Sequence, residues 1–256
     1  ATATVLDTVW DAATPELIGR QLCVVVQKDA ATIKIPKAAT ATPQWITGGV
    51  EIPISEETYS FIEVSAKKSG VRCAISRDLI EDATWDIVAR QLAEGSRAMA
   101  AFESSYIISQ LIANAGNTAT ASNTGTLAWR DIADMIGVMW GVNRKPDVLA
   151  VNPSEFADLL RDSAIQNLIL YGKQDDFVPG GPIAYVPGLK ILVSSHVTAG
   201  TALLVDSSHA GVLFIRRDIT MEDYEDPIED LQGAVFTERW NFVVVDGDAI
   251  GIITNA

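Results

Sequence analysis

Ile75-Ser76-Arg77-Asp78-Leu79-Ile80-Glu81-Asp82 leads straight into the most regular segment of the chain. The pattern predicts a helix that starts between Asp82 and Trp85 and stops around Asn114 and Gly116, where glycine can take the left-handed position beyond a helix C-terminus. Apolar residues fall at Trp85, Val88, Leu92, Met99, Phe102 and Tyr106, with Gly95 in the missing slot, so one stripe faces a core. Asp86, Arg90 and Glu94 stand at i,i+4 steps on another face. At a rise of 1.5 Å per residue, such a helix is a rod of roughly 45 Å. About three heptads without a strong e/g charge pattern favour packing against the chain's own sheet over a coiled-coil seam.

Upstream, residues 1–23 alternate small and polar residues with isolated apolar anchors (Val5, Leu6, Val9, Trp10, Leu17, Ile18, Leu22), and Pro15 interrupts any long helix. This reads as an extended arm with room for one helical turn. A β-rich run over 22–35 ends at Pro36, and a second run over 59–75 alternates at Phe61, Glu63 and Val64, then at Val71, Cys73 and Ile75. The two runs read as the arms of one long hairpin. Between them, residues 36–58 hold Pro43, Trp45, Gly48, Gly49 and Pro53 with no helical period. A tip of that length without regular structure implies a task outside the compact body.

Downstream, a Thr/Asn/Ser/Gly-rich linker (117–126) precedes a helix over 129–140 with Ile132, Met135, Ile136 and Met139 turned inward. A strand over 147–151 runs into Asn152-Pro153-Ser154-Glu155. There Asn152 is the N-cap, Pro153 the first helical residue, and Glu155 the return partner of a capping box, for a helix predicted to reach Tyr171. A Pro/Gly-rich stretch (179–188) follows, then strands near 189–194, 202–206, 212–217, 234–245 and 249–254. The fold class is α+β without internal repeats.

The chain has 256 residues, 48% of them hydrophobic and 20% charged, a composition that excludes disorder. Apolar runs such as Val24-Val25-Val26 are far too short to span a bilayer. Cys23 and Cys73 make no disulfide framework, and a reduced, cytosolic origin is the simpler reading. No secretory signal stands at the start, and a chain beginning at Ala1 fits trimming or processing. A net charge of −14 argues against a nucleic-acid-binding surface, which needs clustered Lys and Arg.

Chemistry-bearing motifs are missing. There is no glycine-rich nucleotide loop, and His196 and His209 lack the spacing of metal ligands, so no catalytic, cofactor-binding or metal residue is expected. Ser195-His196 and Ser207-Ser208-His209 with Asp206 resemble triad fragments only in composition, because neighbours on a strand point to opposite faces. One charge feature stands out: Asp218, Glu222, Asp223, Glu225, Asp226, Glu229 and Asp230 share 13 residues with no basic residue among them. The order required of a calcium loop is absent. A solvated acidic loop is expected, ahead of a partner's basic patch or a loosely held divalent ion.

The arm and hairpin occupy the first 75 residues and carry apolar side chains that cannot all reach the core behind them. Burying that surface, at about 25 cal/mol per Å², requires another copy of the chain. This is the pattern of an obligate assembly.

The order of parts is extended arm, long two-stranded loop, long helix, α/β domain, acidic hairpin and short final strand. It resembles the major capsid protein of tailed double-stranded DNA viruses, the Hong Kong 97-type fold that encapsulin shells share. The resemblance rests on Ile75 to Asp82 leading into the spine helix, on Val151-Asn152-Pro153-Ser154-Glu155-Phe156, and on Glu238-Arg239-Trp240 through Val245-Asp246-Gly247-Asp248-Ala249-Ile250. It implies an N-terminal arm (1–23), an E-loop (24–75), a peripheral domain (76–127 and 211–246) and an axial domain (128–210 and 247–256). It also implies a structural, non-enzymatic function in a tailed bacteriophage or archaeal virus. Copies would form pentamers and hexamers of an icosahedral shell around packaged DNA, in a virion capsid assembled in the host cytoplasm. Partners would be other copies, a cement or decoration protein, portal and scaffold, with no sequence-specific nucleic-acid binding and no membrane. Trp10, Trp45, Ile46, Ile52 and Ile54 are the expected inter-subunit contacts.

The alternative in the same fold is an encapsulin, a shell around cargo enzymes, against which Pro15 and the Thr/Ala-rich start argue. An α/β enzyme using the 218–230 acids would need a polar pocket that the sequence does not show. Some members of the family weld an E-loop lysine to a neighbour's asparagine. Lys34, Lys37, Lys67 and Lys68 are available, but residues 218–240 contain no asparagine and Asn241 lies just beyond. The expectation is a shell without covalent links.

Overall fold

A computed structural model describes residues 14–37, 45, 60–82, 87–162 and 189–255. Its strands are β1 (Val24–Gln27), β2 (Thr32–Lys37), β3 (Ser60–Ser65), β4 (Lys67–Ser76), β5 (Asn117–Thr120), β6 (Val148–Val151), β7 (Lys190–Val193), β8 (Thr201–Val205), β9 (Gly211–Asp226), β10 (Leu231–Val244) and β11 (Ile250–Thr254). The helices are α1 (Arg77–Asp82), α2 (Ile87–Ala113), α3 (Trp129–Gly141) and α4 (Pro153–Arg161), with 3₁₀ segments at Thr14–Gln21 and Gly247–Ala249.

One sheet has the order β1-β9-β10-β4, a second β5-β11-β8-β6-β7, and β2 pairs with β3 alone. The two long runs expected to form one hairpin therefore divide their pairing. Their outer halves pair antiparallel, from Thr32 opposite Ser65 to Lys37 opposite Ser60. Their inner halves join the first sheet, β1 parallel to β9 and β4 antiparallel to β10. The far end of a two-stranded ribbon has no second layer to bury its apolar side chains, and Phe61 on β3 is exposed, whereas Val64 nearer the body is buried.

The second sheet is covered on both faces, which explains the unbroken apolar runs of β6 and β8. Val148, Ala150, Leu203 and Val205 face a core shared with Ile107, Ile108 and Leu111 of α2. Leu149, Val151, Ala202 and Leu204 face α3, whose inward residues are the predicted Ile132, Met135, Ile136 and Met139 together with Trp129. The N-terminal half of α2 packs through Met99 and Ala100 on Ile219, Ala234 and Phe236 of the first sheet. At 27 residues, α2 is roughly 40 Å long and spans both cores.

Several expectations are corrected. The buried stripe of α2 is Gly95, Ser96, Met99, Ala100, Glu103, Ser104, Ile107, Ile108 and Leu111; Phe102 is exposed and Tyr106 half-buried. Trp85 lies outside the described residues. The predicted stripe is rotated because three truly buried positions are polar. Gly116 takes no left-handed conformation; a Cβ there would lie 2.8 Å from the Gly247 carbonyl carbon, and its amide donates to Gly247 O at 2.8 Å. Close approach, not a helix cap, requires this glycine.

Asn152 does cap α4, its Oδ1 accepting from the Ser154 amide at 3.2 Å. Glu155 does not return to Asn152; its Oε1 accepts from the Gly200 amide at 2.9 Å. The continuation toward Tyr171 lies outside the described residues. The acidic run is no loop either, since β9 extends to Asp226 and β10 resumes at Leu231, making residues 218–230 the far end of a hairpin.

Candidate functional site

The N-terminal segment reaches the body at Arg20. Its guanidinium grips Glu103 of α2 with two bonds of 2.7 Å, from Nε and Nη2, and Nη2 also contacts Asp218 of β9 at 3.0 Å and Glu238 of β10 at 3.2 Å. The Glu103 and Glu238 side chains are fully buried. Beside them the Gly19 amide donates to Ser104 Oγ at 3.2 Å, while Leu22 and Cys23 enter the core. Local geometry supports the cluster. Between the Thr237–Thr220 and Arg239–Arg217 pairs, two residues of β9 oppose Glu238 alone, a bulge at Asp218.

Burial pushes the Glu238 carboxyl up to about 9, and the neighbouring Glu103 adds to the rise against the opposing pull of Arg20. Arg20 loses water on burial, yet its bond to Glu103 and that residue's charge hold its proton more firmly still. The Cys23 thiol is pushed up to about 12, by burial first and then by Glu103. No single motif marks this quartet. The available signal was a glutamate on the inward face of β10, in step with Phe236 and Trp240, and another in the buried stripe of α2.

A groove of about 540 Å³ opens between β4 and α2, lined by Lys67, Lys68, Met99, Phe102, Tyr106 and Trp240, with Asn241 at one side. Trp240 is its floor: Phe102 and Tyr106 stand edge-on to it, at centroid distances of 6.1 and 5.4 Å, and its Nε1 donates to Ser69 Oγ at 2.9 Å. Asn241 is engaged within its own chain, Nδ2 donating to Ser65 O at 2.9 Å and Oδ1 accepting from the Phe242 amide at 3.0 Å.

The acidic residues named from sequence separate into different roles. Asp218 faces Arg20. Glu225 and Asp230 flank Arg77 at 2.9 and 3.4 Å, pinning the start of α1 to the hairpin end. Asp226 accepts from the Ile228 amide at 3.0 Å and from Tyr224 Oη at 3.1 Å, closing the turn. The Ile228 amide is the first of the bonds that hold its carboxyl below the usual carboxylate range. Glu222, Asp223 and Glu229 are exposed. Among the described residues no group of His, Cys, Asp and Glu could hold a metal ion.

Asp206 pairs with His209 Nδ1 at 2.9 Å, and Ser207 Oγ donates to Asp147 rather than to that histidine. Of the expected contact residues, Trp45 is fully exposed; Trp10, Ile46, Ile52 and Ile54 lie outside the described residues. No described helix is long and apolar enough to cross a membrane.

The family profile described as phage capsid protein matches residues 61–255, which include both sheets' long strands and all of α2. The chain belongs to that family. The capsid of the cyanophage P-SCSP1u superposes with a TM-score of 0.71 at 14% identity, covering 92% of this chain and 86% of that one. Mycobacterium phage Bobi gives 0.68 at 17% identity, covering 92% and 89%. The virus-like particle from Pyrococcus furiosus gives 0.62 at 12% identity, covering 96% of each chain. Curated protein sequences give no match. At these identities the structural likeness is one of fold, the Hong Kong 97-type fold anticipated from the order of parts. With the family assigned, the protein is a major capsid protein, a structural component of a virion shell.

Proposed function

We propose that copies of this chain form rings of five and six that tile an icosahedral shell around a packaged double-stranded DNA genome. Assembly takes place in the host cytoplasm, with scaffold and portal as partners, a cement or decoration protein on the finished shell, and no catalysis by the shell protein. The family match over residues 61–255 carries this reading. The charge of −14 agrees with it, because a wall that repels DNA confines it mechanically without gripping it.

Trp10, Trp45, Ile46, Ile52 and Ile54 contact neighbouring copies in this reading, at the arm and at the tip beyond the β2–β3 ribbon. The aromatic groove beside Lys67 and Lys68 suits such a tip, which carries Trp45 together with Glu51, Glu56 and Glu57. A shell around cargo enzymes is the second reading, supported by the full-length likeness to the Pyrococcus furiosus virus-like particle. Electron microscopy of purified particles separates them: DNA-filled or tail-bearing shells are expected, and small protein-filled shells would establish the second.

A further inference from the structure

We propose that Arg20, Glu103, Asp218 and Glu238 form a proton-dependent latch, which holds the N-terminal segment on α2 and the first sheet at low and neutral pH and loosens as the pH rises. The shell reading supplies its consequence, since residues 1–13, the arm of that reading, precede this anchor in the sequence; the latch itself is a property of the single chain.

The charge count comes first. Three carboxylates surround one guanidinium, and the side chains of two of them, Glu103 and Glu238, are wholly removed from solvent. Glu238 Oε1 faces Arg20, and Oε2 is buried without a conventional donor. Glu103 Oε2 and Glu238 Oε1 both lie against the same Arg20 nitrogen, at 2.7 and 3.2 Å, so the two buried acids are close neighbours and a proton held between them relieves their repulsion. With that proton the buried part is balanced: one cation, one carboxylate, one neutral acid. Without it, two buried like charges face each other.

The charged groups that face Glu238 are Arg20 from the N-terminal segment, Glu103 from α2 and Asp218 from β9, and Cys23 sits beside Arg20 and Glu103. Its register partner on β4, Ser69, is uncharged. Opening the latch returns Glu238 to water, where a glutamate keeps its proton only below about 4.3. The closed state binds the proton more tightly than the open one. Its stabilising effect is complete below that value and is lost as the pH rises toward about 9, where the closed state itself ionises. In that window each pH unit favours opening by up to about tenfold.

Cys23 reports the opening. It lies buried behind the latch with its Sγ 3.5 Å from Gly19 O, and its raised affinity for the proton keeps it inert while the latch is closed. The rate of Cys23 alkylation by a thiol-specific reagent would be followed by mass spectrometry from pH 6 to pH 10 in the wild type and in Glu238→Gln. The amide of the variant has the shape and neutrality of the protonated acid but cannot ionise. The ratio of wild-type to variant rates removes the reagent's own pH dependence. It should climb at least about tenfold between pH 6 and pH 9 and flatten above. Arg20→Ala should label quickly at every pH. A ratio constant to within about twofold would overturn the latch, since linked protonation requires it to change.

Tryptic cleavage after Arg20 in the wild type, relative to cleavage after the exposed Arg130, gives the same reading without any variant. It should increase from pH 7 to pH 9; equal ratios would contradict the proposal. Both measurements are made on the purified chain whether or not it assembles, so a failure to form shells leaves them decisive.

Discussion

Gly95 of α2 lies directly against the ring of Phe236 on β10: a Cβ at Gly95 would stand 2.5 Å from Phe236 Cε2 and 2.9 Å from Cys73 Sγ. Glycine here lets the helix settle onto the first sheet, at the cost of about 1 kcal/mol of helix propensity relative to alanine. Phe236 is fully buried and cannot retreat. Gly95→Val should therefore destabilise by about 2 kcal/mol or more through overpacking, measured by denaturant unfolding. An unchanged midpoint would show that helix and sheet can separate there freely.

Asn152 does two things at once, capping α4 through Oδ1 and donating from Nδ2 to Val197 O at 2.8 Å. Asn152→Ala removes a cap worth about 1 kcal/mol and leaves the carbonyl of the buried Val197 without that donor, so a loss of about 2 kcal/mol is expected in the same assay. Asn152→Asp, which keeps the cap alone, should lie between the two.

Trp45→Ala should lower the yield of assembled particles while leaving the chain folded, because Trp45 makes no burial of its own and a buried aromatic anchor at an interface contributes about 2 kcal/mol or more per copy. Deleting residues 37–57 should abolish shells and preserve the circular-dichroism spectrum of the folded body. Lys67→Glu together with Lys68→Glu should also impair assembly if the acidic tip seats beside them. Sedimentation of cleared lysates reads out all three.

Asn241 is held by Ser65 and by the following amide within its own chain. A lysine from a neighbour would have to displace these bonds to reach it. Boiled particles should therefore run as a single band at monomer mass on a denaturing gel, and a ladder surviving reducing agent would point to Asn241 as acceptor.

Much of the fold was legible because its signals are local. Turn chemistry at 152–155 placed the β6–α4 junction, and the period of Ile132, Met135, Ile136 and Met139 gave α3 its inward face. What failed was pairing at a distance. Val24–Gln27 and Lys67–Ser76 have the same strand character whether they pair with each other or with β9 and β10, so one long hairpin was the economical reading. The acidic run looked solvated because its cations, Arg20 and Arg77, lie 198 and 148 residues away from Asp218 and Glu225. Glu103 misled in a further way: a charge in the buried stripe of α2 rotated the predicted face toward Phe102. Its meaning appears only with Arg20 in place.

Light scattering coupled to size exclusion, on the chain expressed alone under native conditions, tests the shell directly. Particles of megadalton mass, hollow and closed by electron microscopy with fivefold and sixfold rings, are the expected result. A monodisperse species at 27.5 kDa would contradict it.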